Sequence, residues 1–409
     1  MLGLAGISHA KTNVKAVLEN YANIAEAGYE DSLATAKAMQ KAVEEFLNDP
    51  NDKTLSAAKE AWLAARVPYQ QTEVYRFGNK IVDEWEGKVN AWPLDEGLID
   101  YVAKSYGTES DGNELFVANV VANKTLKIGG KTIDAASITK KLLEEQLQEA
   151  GGVEANVATG YHAIEFLLWG QDVNGTKAGA GQRPASDYNL KKCTNGNCER
   201  RAQYLKVVTE LLIDDLEWIV AQWGKDGDAR KALFADENAG LVSIFTGMGS
   251  LSYGELAGER MKLGLLLHDP EEEHDCFSDN THNSHYYDAL GVQNIYLGRY
   301  KRTDGKIISG PSVSDLVKEK DAAVDTEVKA KLDVTMDAMS KLVERAKGGE
   351  AYDQMIGEGN DAGNKTVQAA IEGLLGQTKS IERAIAVLKL KAIQFEGSDS
   401  LDSPDKVGK

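Results

Sequence analysis

Residues 199–223 read ERRAQYLKVVTELLIDDLEWIVAQW. Apolar side chains recur in this stretch every three or four residues: Tyr204, Leu205, Val208, Leu211, Leu212, Leu216, Ile219 and Trp223. Because an α-helix turns once in about 3.6 residues, this spacing places the apolar side chains on one face. The stretch therefore predicts an amphipathic α-helix that buries one side in a helical bundle.

The same spacing recurs on both sides of this helix. A first helix is predicted to stop at residues 48–51, where the sequence Asn-Asp-Pro-Asn favours a turn. A second carries Pro68 as a kink. This second helix spans about 54–77, and further helices are predicted at about 94–106, 134–149, 153–169, 236–267, 312–347 and 361–394. Residues 124–133 are predicted as one minor hairpin that turns at Gly129-Gly130. The fold class is therefore all-α.

The segment 171–198 is rich in Gly, Asn, Lys and Ala and lacks periodicity. We therefore predict an N-terminal helical bundle over 11–176, a linker or long loop over 177–198, a C-terminal helical bundle over 199–395 and a disordered tail over 396–409. Residues 61–66 and 256–261 both place an arginine in mid-helix. This echo favours a duplicated bundle, and chance similarity is the alternative.

The charge balance excludes one class of partner. The chain has 46 Lys and Arg against 64 Asp and Glu, a formal charge of −18. A phosphate backbone would be repelled, so no nucleic acid is expected as a partner. The sequence has no apolar run of the length that a transmembrane segment needs. Residues 1–10 end in Ser8-His9-Ala10, which is similar to the end of a secretion signal; an ordinary terminus is the alternative.

Cys193 and Cys198 flank the turn sequence Thr-Asn-Gly-Asn. They could form a small disulfide, which would fit an oxidising compartment; two free thiols are the alternative. The third cysteine, Cys276, lies far away in the sequence. A zinc site of the paired-cysteine type is not expected, because the chain has no second pair.

His162 and Glu165 form the sharpest candidate site, within the sequence GYHAIEFLLW at 160–169. Three residues apart on a helix, they share a face and could bind one metal ion together. The alternative is a buried histidine hydrogen-bonded to its own glutamate. The sequence lacks the second helical histidine of the common zinc peptidases, which argues against a standard metallopeptidase.

Two further groups could line a polar cavity. On one predicted helix face Arg66 and Glu73 alternate with Trp62 and Tyr69, and an Arg–Glu ion pair with aromatic packing is the alternative. Downstream, Trp92, Asp95 and Glu96 mark a helix start. There the two carboxylates would serve as capping groups or, alternatively, as hard oxygen ligands.

A third group lies in the polar stretch 271–285, where three of the six histidines occur among acidic residues. Asp279 and His282 are its candidate binding residues, and a solvated polar loop is the alternative. In the glycine-rich helix before it, Glu255 and Arg260 again place charges among small residues. Those glycines predict that another backbone or a ligand comes close.

Four segments, taken together and in order, resemble the imelysin family, which includes insulin-cleaving metalloproteinase-like and iron-regulated proteins. They are 61–69 (AWLAARVPY), 92–97 (WPLDEG), 160–169 (GYHAIEFLLW) and 274–282 (HDCFSDNTH). The Gly-x-His-x-x-Glu motif of the family matches Gly160, His162 and Glu165. The resemblance extends over about 14–394 and implies helical bundles, export to the periplasm or outer cell surface, and a link to iron acquisition.

Three functions compete at this point. In the first, an exported protein holds a metal ion (iron or zinc) or a metal complex between its bundles, with His162 and Glu165 as ligands. Iron-uptake transporter components would be its partners. The second is a zinc-dependent metallopeptidase that uses the same motif. The third is a structural or surface interaction protein with a polar seam between bundles.

Overall fold

The structure is a computed structural model that describes residues 12–110, 112–391 and 393–407. Helices dominate it, which confirms the all-α class. The longer helices are α1 (Val14–Asn48), α2 (Asp52–Gln70), α3 (Lys80–Val89), α4 (Glu96–Ile99), α5 (Lys140–Leu142), α6 (Gly160–Trp169), α7 (Cys198–Trp223), α8 (Asp228–Leu233), α9 (Glu237–Ser250), α10 (Leu263–Leu267), α11 (Thr281–Leu297), α12 (Val313–Lys320), α13 (Ala322–Lys347), α14 (Tyr352–Ile356), α15 (Asp361–Leu388) and α16 (Asp399–Asp402). The predicted signal end at residues 1–10 lies outside the described residues.

Shorter elements complete the description. π-Helical segments span Leu143–Leu147 and Leu251–Lys262, and the second joins α9 to α10 in one continuous rod. Single 3₁₀ turns occupy Glu73–Tyr75, Lys104–Tyr106, Ala150–Gly152, Ala185–Tyr188, Pro270–Glu272 and Pro404–Lys406. Two antiparallel hairpins pair β1 (Thr125–Ile128) with β2 (Lys131–Asp134) and β3 (Arg299–Lys301) with β4 (Ile307–Ser309). The first is the predicted hairpin, turning at Gly129-Gly130, and the second was not predicted.

Local sequence sets the ends of the first two helices. The Asn13 side chain accepts a hydrogen bond from the backbone N–H of Lys15 and starts α1. Asn51 does the same for α2, and the Thr54 hydroxyl oxygen accepts a hydrogen bond from the Asn51 backbone N–H, forming a capping box. Such caps satisfy backbone groups that the helix itself leaves unpaired. The two helices can therefore pack antiparallel across a short turn.

α1 packs against α2 and α7, and α7 also packs against α3 and α6. The α7 side chains predicted to face a core are buried as expected. A second group forms around α13 and α15, with α11, α12 and the π-helical segment beside them. Apolar side chains from both groups form one continuous core. The predicted boundary between the two bundles, at 176 and 199, stays a prediction. It places α7 in the C-terminal bundle, although α7 packs on the N-terminal helices.

Within the segment 177–198, predicted as a linker or long loop, residues 183–189 are mostly buried against the helices, whereas residues 190–197 are exposed. Arg183 and Asp187 are buried within it, and Arg183 pairs with Asp100 at 2.7 Å. Arg201 of α7 binds the same carboxylate at 2.6 Å. Cys193 and Cys198 form a disulfide, which settles the alternative left open by the sequence. The loop is therefore part of the framework that carries α6 and α7.

Residues 396–407, predicted as a disordered tail, instead lie against the glycine-rich helix. A β-carbon added at Gly254 would come within 2.4 Å of the Glu396 carbonyl oxygen, and one at Gly258 within 2.3 Å of Ser398. The predicted close approach to these glycines is thus made by the chain's own C-terminal segment. The segment has few apolar residues, so its composition suggested disorder, yet glycines let its backbone come close.

The α-helices that the sequence did not predict include α3 and α11. α3 is short and buries Val82, Trp85, Glu86 and Val89. α11 places Ser284, His285 and Asp288 on its buried side, where apolar residues would normally give the signal. Within the described residues, no helix has the combination of length and apolar character required to cross a membrane.

Candidate metal centre

α6 carries the central motif, and each of its residues from Gly160 to Trp169 is buried. Its start is fixed against the end of α3, where the Thr159 hydroxyl donates to the Lys88 carbonyl at 2.7 Å. Apolar neighbours alone would not accommodate His162 and Glu165, which are 1% and 0% exposed. Both side chains must therefore find polar partners inside the protein.

His162 Nδ1 lies 3.0 Å from Glu165 Oε2. Glu165 Oε1 accepts hydrogen bonds from the backbone N–H of Ser278 at 2.9 Å and from its hydroxyl at 2.7 Å. The other ring nitrogen, His162 Nε2, is buried without a hydrogen-bond partner. A carboxylate on one nitrogen and a free second nitrogen is the arrangement of many metal-binding histidines. Glu165 thus orients His162, whereas the sequence predicted it as a ligand.

His274 and Asp275 complete a group that can hold a metal ion with His162. One ligand atom from each of the three lies within 4.8 Å of the others. Asp275 Oδ1 is 3.6 Å from His274 Nδ1 and 4.0 Å from His162 Nδ1. Two imidazoles and one carboxylate suit zinc or ferrous iron. The donor set therefore fits the metal that the resemblance implies.

The protonation states in this group are those that metal-binding side chains adopt. Burial, followed by the positive charge of Arg66, lowers the pKa of His162 to about 3, so the imidazole is neutral at pH 7. Burial and Arg260 likewise lower the pKa of His274. Burial opposes ionisation of Asp275, but Arg66 and the hydrogen bonds from Ser284 and Asn280 together lower its pKa below the usual value. Neutral histidines beside an ionised carboxylate are in the forms that bind metals.

Arg66 holds this group from the side of α2. Its Nη2 donates to Asp275 Oδ1 at 2.9 Å, and its Nη1 donates to Asn90 Oδ1 at 2.6 Å. The guanidinium also lies over the ring of Tyr161, with a distance of 5.1 Å to the ring centroid. The predicted polar face of α2 thus exists. Glu73, however, lies beyond the end of α2, in the 3₁₀ turn Glu73–Tyr75, and pairs with another arginine.

Glu73 binds Arg260 instead. Arg260 donates to Glu73 at 2.7 Å, to Glu255 at 2.8 Å and to Asp288 at 3.1 Å. The positive charge of Arg260 also lowers the pKa values of His162 and His274. The predicted residues Glu73, Glu255 and Arg260 therefore border the candidate centre as a network that links α11 to the π-helical segment.

The predicted residues near 92–97 adjoin the histidine group through Trp92. The Trp92 ring packs edge-on against His274 with a centroid distance of 5.8 Å. Asp95 accepts a hydrogen bond from Asn113 at 2.5 Å and makes no side-chain cap, so the capping interpretation fails for Asp95. Glu96 is buried and accepts from Gln171 at 3.4 Å. These three residues line a pocket of about 470 Å³.

The remaining predicted residues, Asp279 and His282, lie outside the histidine group. His282 contacts the Asn283 amide at 3.0 Å, and Asp279 joins Asp172 and Asp353 in a separate acidic cluster. His274 and Asp275 belong to the same polar stretch but were not among the predicted candidate ligands. They lie in a turn ahead of α11, so no helical spacing marks them and none relates them to His162.

Glu96→Gln is expected to stabilise the protein at alkaline pH. Burial and the nearby Glu271 raise the pKa of Glu96 from 4.5 to about 8. Because the pKa is raised in the folded state, the protonated carboxyl leaves the free energy of unfolding at its full value below pH 4.5. As the pH rises to about 8, ionisation of the buried carboxyl lowers that free energy. The variant should gain on the order of 3 kcal/mol of unfolding free energy at about pH 9 and little at about pH 4.5. Urea unfolding in chelator at both values measures this.

The exposed Glu84→Gln is the matched control, with the same chemical change outside any buried site. Its difference from the parent protein should not vary between the two pH values. If the stability change caused by Glu96→Gln is also the same at both pH values, the raised pKa assigned to the buried Glu96 carboxyl is wrong.

Comparison with known proteins agrees with this architecture. The Imelysin family profile, Peptidase_M75, matches residues 25–381. Iron-regulated protein A of Synechococcus elongatus is 30% identical over 91 residues, which span 22% of this chain and 26% of that relative. The match thus covers about a quarter of the curated relative.

Two solved structures share the fold. An iron-regulated protein A precursor from Parabacteroides distasonis superposes with a TM-score of 0.65 at 16% identity, covering 93% of this chain and 97% of that one. An imelysin-like protein from Psychrobacter arcticum gives 0.62 at 13% identity, covering 95% and 100%. With the profile match over most of the sequence, the chain belongs to the imelysin family.

Proposed function

We propose that this protein binds a metal ion through His162, His274 and Asp275 and serves as an exported component of iron uptake. The observation that carries the proposal is the buried cluster of two neutral imidazoles and one ionised carboxylate, in which His162 Nε2 has no hydrogen-bond partner. An unsatisfied buried nitrogen costs free energy unless a ligand uses it. A bound ion would act as a Lewis acid and would favour the ionised form of Glu165.

Iron as the physiological metal rests on the relatives, two of which are named as iron-regulated proteins. Two imidazoles with one carboxylate also suit ferrous iron as well as zinc. The Cys193–Cys198 disulfide supports export, because such bonds persist in oxidising compartments. Delivery to a transporter at the cell surface would follow from this role.

Binding is favoured over peptide hydrolysis by the enclosure of the ligand group. His162 and His274 are each 1% exposed and Asp275 is 0% exposed. A catalytic zinc needs a coordination position that water and a peptide bond can reach. The peptidase alternative makes a separate prediction, chelator-sensitive cleavage of a peptide library. Intact peptides after incubation with the zinc-loaded protein would remove it.

Calorimetric titration of metal-stripped protein tests the binding proposal. We expect one ferrous or zinc ion per chain. Loss of a direct ligand in His274→Ala should weaken binding by at least about 100-fold, a larger loss than removing a supporting group usually causes. Circular dichroism would verify that the variant is folded.

His268→Ala supplies the control, since His268 binds the Ile356 carbonyl and is not part of the ligand group. Its affinity should equal that of the parent protein. Absence of heat with either ion, or His274→Ala binding as tightly as the parent, would overturn the proposal.

A further inference from the structure

A second group of potential ligands lies beyond the histidines and consists only of carboxylates. Asp172 follows α6, Asp279 precedes α11, and Asp353 is in α14. One oxygen from each lies within 4.8 Å of the others. We call these residues the acidic triad. Three segments that are far apart in the sequence therefore bring like charges together, an arrangement that is unfavourable without compensation.

The buried Asp353 carboxylate lacks a cation to compensate its charge. This side chain is 2% exposed, and no side chain donates a hydrogen bond to its carboxylate oxygens; only the backbone N–H groups of Asp353 and Gln354 come close enough to lower its pKa. Asp279 Oδ1 is also buried without a partner. A buried carboxylate normally pairs with a cation or with several hydrogen-bond donors. The oxygens in the triad thus have free coordination capacity directed at one another.

No side-chain cation fills this role in the described part of the chain, where none of the three aspartates forms a salt bridge with Lys or Arg. The neighbouring small pocket is lined by further acids, Glu96, Glu271 and Glu273, together with Asp172 and Asp353. Burial, followed by the charges of nearby aspartates, raises the pKa of Asp279 to about 7. Burial also raises the pKa of Asp353 to about 7.

We infer that the acidic triad is a second metal site, selective for a hard divalent cation such as Ca²⁺. Hard cations prefer several oxygen ligands, whereas the histidine group offers two nitrogens. The two sites are at opposite ends of one short segment, with His274 and Asp275 at its start and Asp279 near its end. The ion would join the loop containing Asp172 to α14 and would hold that segment in place.

The loop around Asp172 is built to present its carboxylate. Asp172 Oδ1 accepts from the Asn174 backbone at 2.9 Å and from its side chain at 2.7 Å, and the same amide reaches the Gly179 carbonyl at 2.5 Å. These bonds leave the second Asp172 oxygen for a ligand. Thr176 lies against Gly357 just after α14, so the loop already contacts the element that carries Asp353.

Calcium titration of the full chain after chelator treatment tests the inference. We expect Ca²⁺ to raise the thermal unfolding midpoint and Asp353→Asn to weaken its binding at least about tenfold. The amide removes a buried unpaired charge, so the metal-free variant should unfold at the same or a higher temperature than the parent. Asp226→Asn, an exposed change of the same kind, should bind Ca²⁺ like the parent.

Two results separate this site from the histidine group. His274→Ala should retain Ca²⁺ binding, and Asp353→Asn should retain zinc binding. No Ca²⁺-dependent shift in the parent protein would overturn the inference. Loss of Ca²⁺ binding in His274→Ala with full binding in Asp353→Asn would also overturn it.

Discussion

Arg260→Met is expected to lower the free energy of unfolding by about 3–5 kcal/mol. Arg260 is 2% exposed and is the common partner of Glu73 and Asp288, which are 1% and 0% exposed in their side chains. Methionine fills much of the same volume but leaves these carboxylates buried without their cation. The cost therefore comes from uncompensated charge, and urea denaturation at neutral pH in the presence of a chelator measures it.

Arg383→Met is the matched control for this prediction. Arg383 pairs with Glu327 at the surface with 61% of its side chain exposed, so its loss should cost no more than about 1 kcal/mol. Adding Glu73→Gln to Arg260→Met should recover part of the lost stability, because it removes one of the stranded charges. Equal stabilities for Arg260→Met and Arg383→Met would contradict the role assigned to Arg260.

The helices with apolar faces could be predicted from the sequence, and α11 shows why others could not. α7 buries Leu212, Leu216 and Ile219, whose spacing is visible without any structure. The buried face of α11 begins with Ser284, His285 and Asp288, so its polarity concealed the helix. The helix was missed because the first half of its buried face is polar, and this half supplies the Asp288 carboxylate that binds Arg260.

The candidate site was predictable as far as its contacts are local. His162 and Glu165 are close because they are three residues apart on one helix, and the structure places them 3.0 Å apart. His274 reaches them only through tertiary packing, so its place depends on distant contacts such as Ser278 with Glu165. The sequence favoured Asp279 and His282 in that stretch, because counting acids and histidines does not show which way each side chain points.

The glycines in these motifs do not bind a ligand themselves. They allow another segment of the chain to pack closely against their helix. Gly249, Gly254 and Gly258 allow the chain between Phe395 and Ser398 to lie on the π-helical segment. Gly160 has an equivalent role at the start of α6, where it allows α3 to come close. In the Gly-x-His-x-x-Glu motif the glycine therefore controls where the histidine and glutamate are held, two and five residues later.

Gly160→Ala is accordingly expected to lower the free energy of unfolding by about 2–5 kcal/mol and to weaken metal binding at His162. Gly160 has a φ of +79°, and an added β-carbon would lie 2.4 Å from the Val89 carbonyl oxygen. Gly152→Ala is the control, since its φ of +75° carries the backbone cost alone, with no atom within 4 Å of the new carbon. Urea denaturation and zinc titration of both variants measure the difference. If the two alanines cost the same, the contact with Val89 is not what fixes α6, and the position of His162 must depend on other contacts.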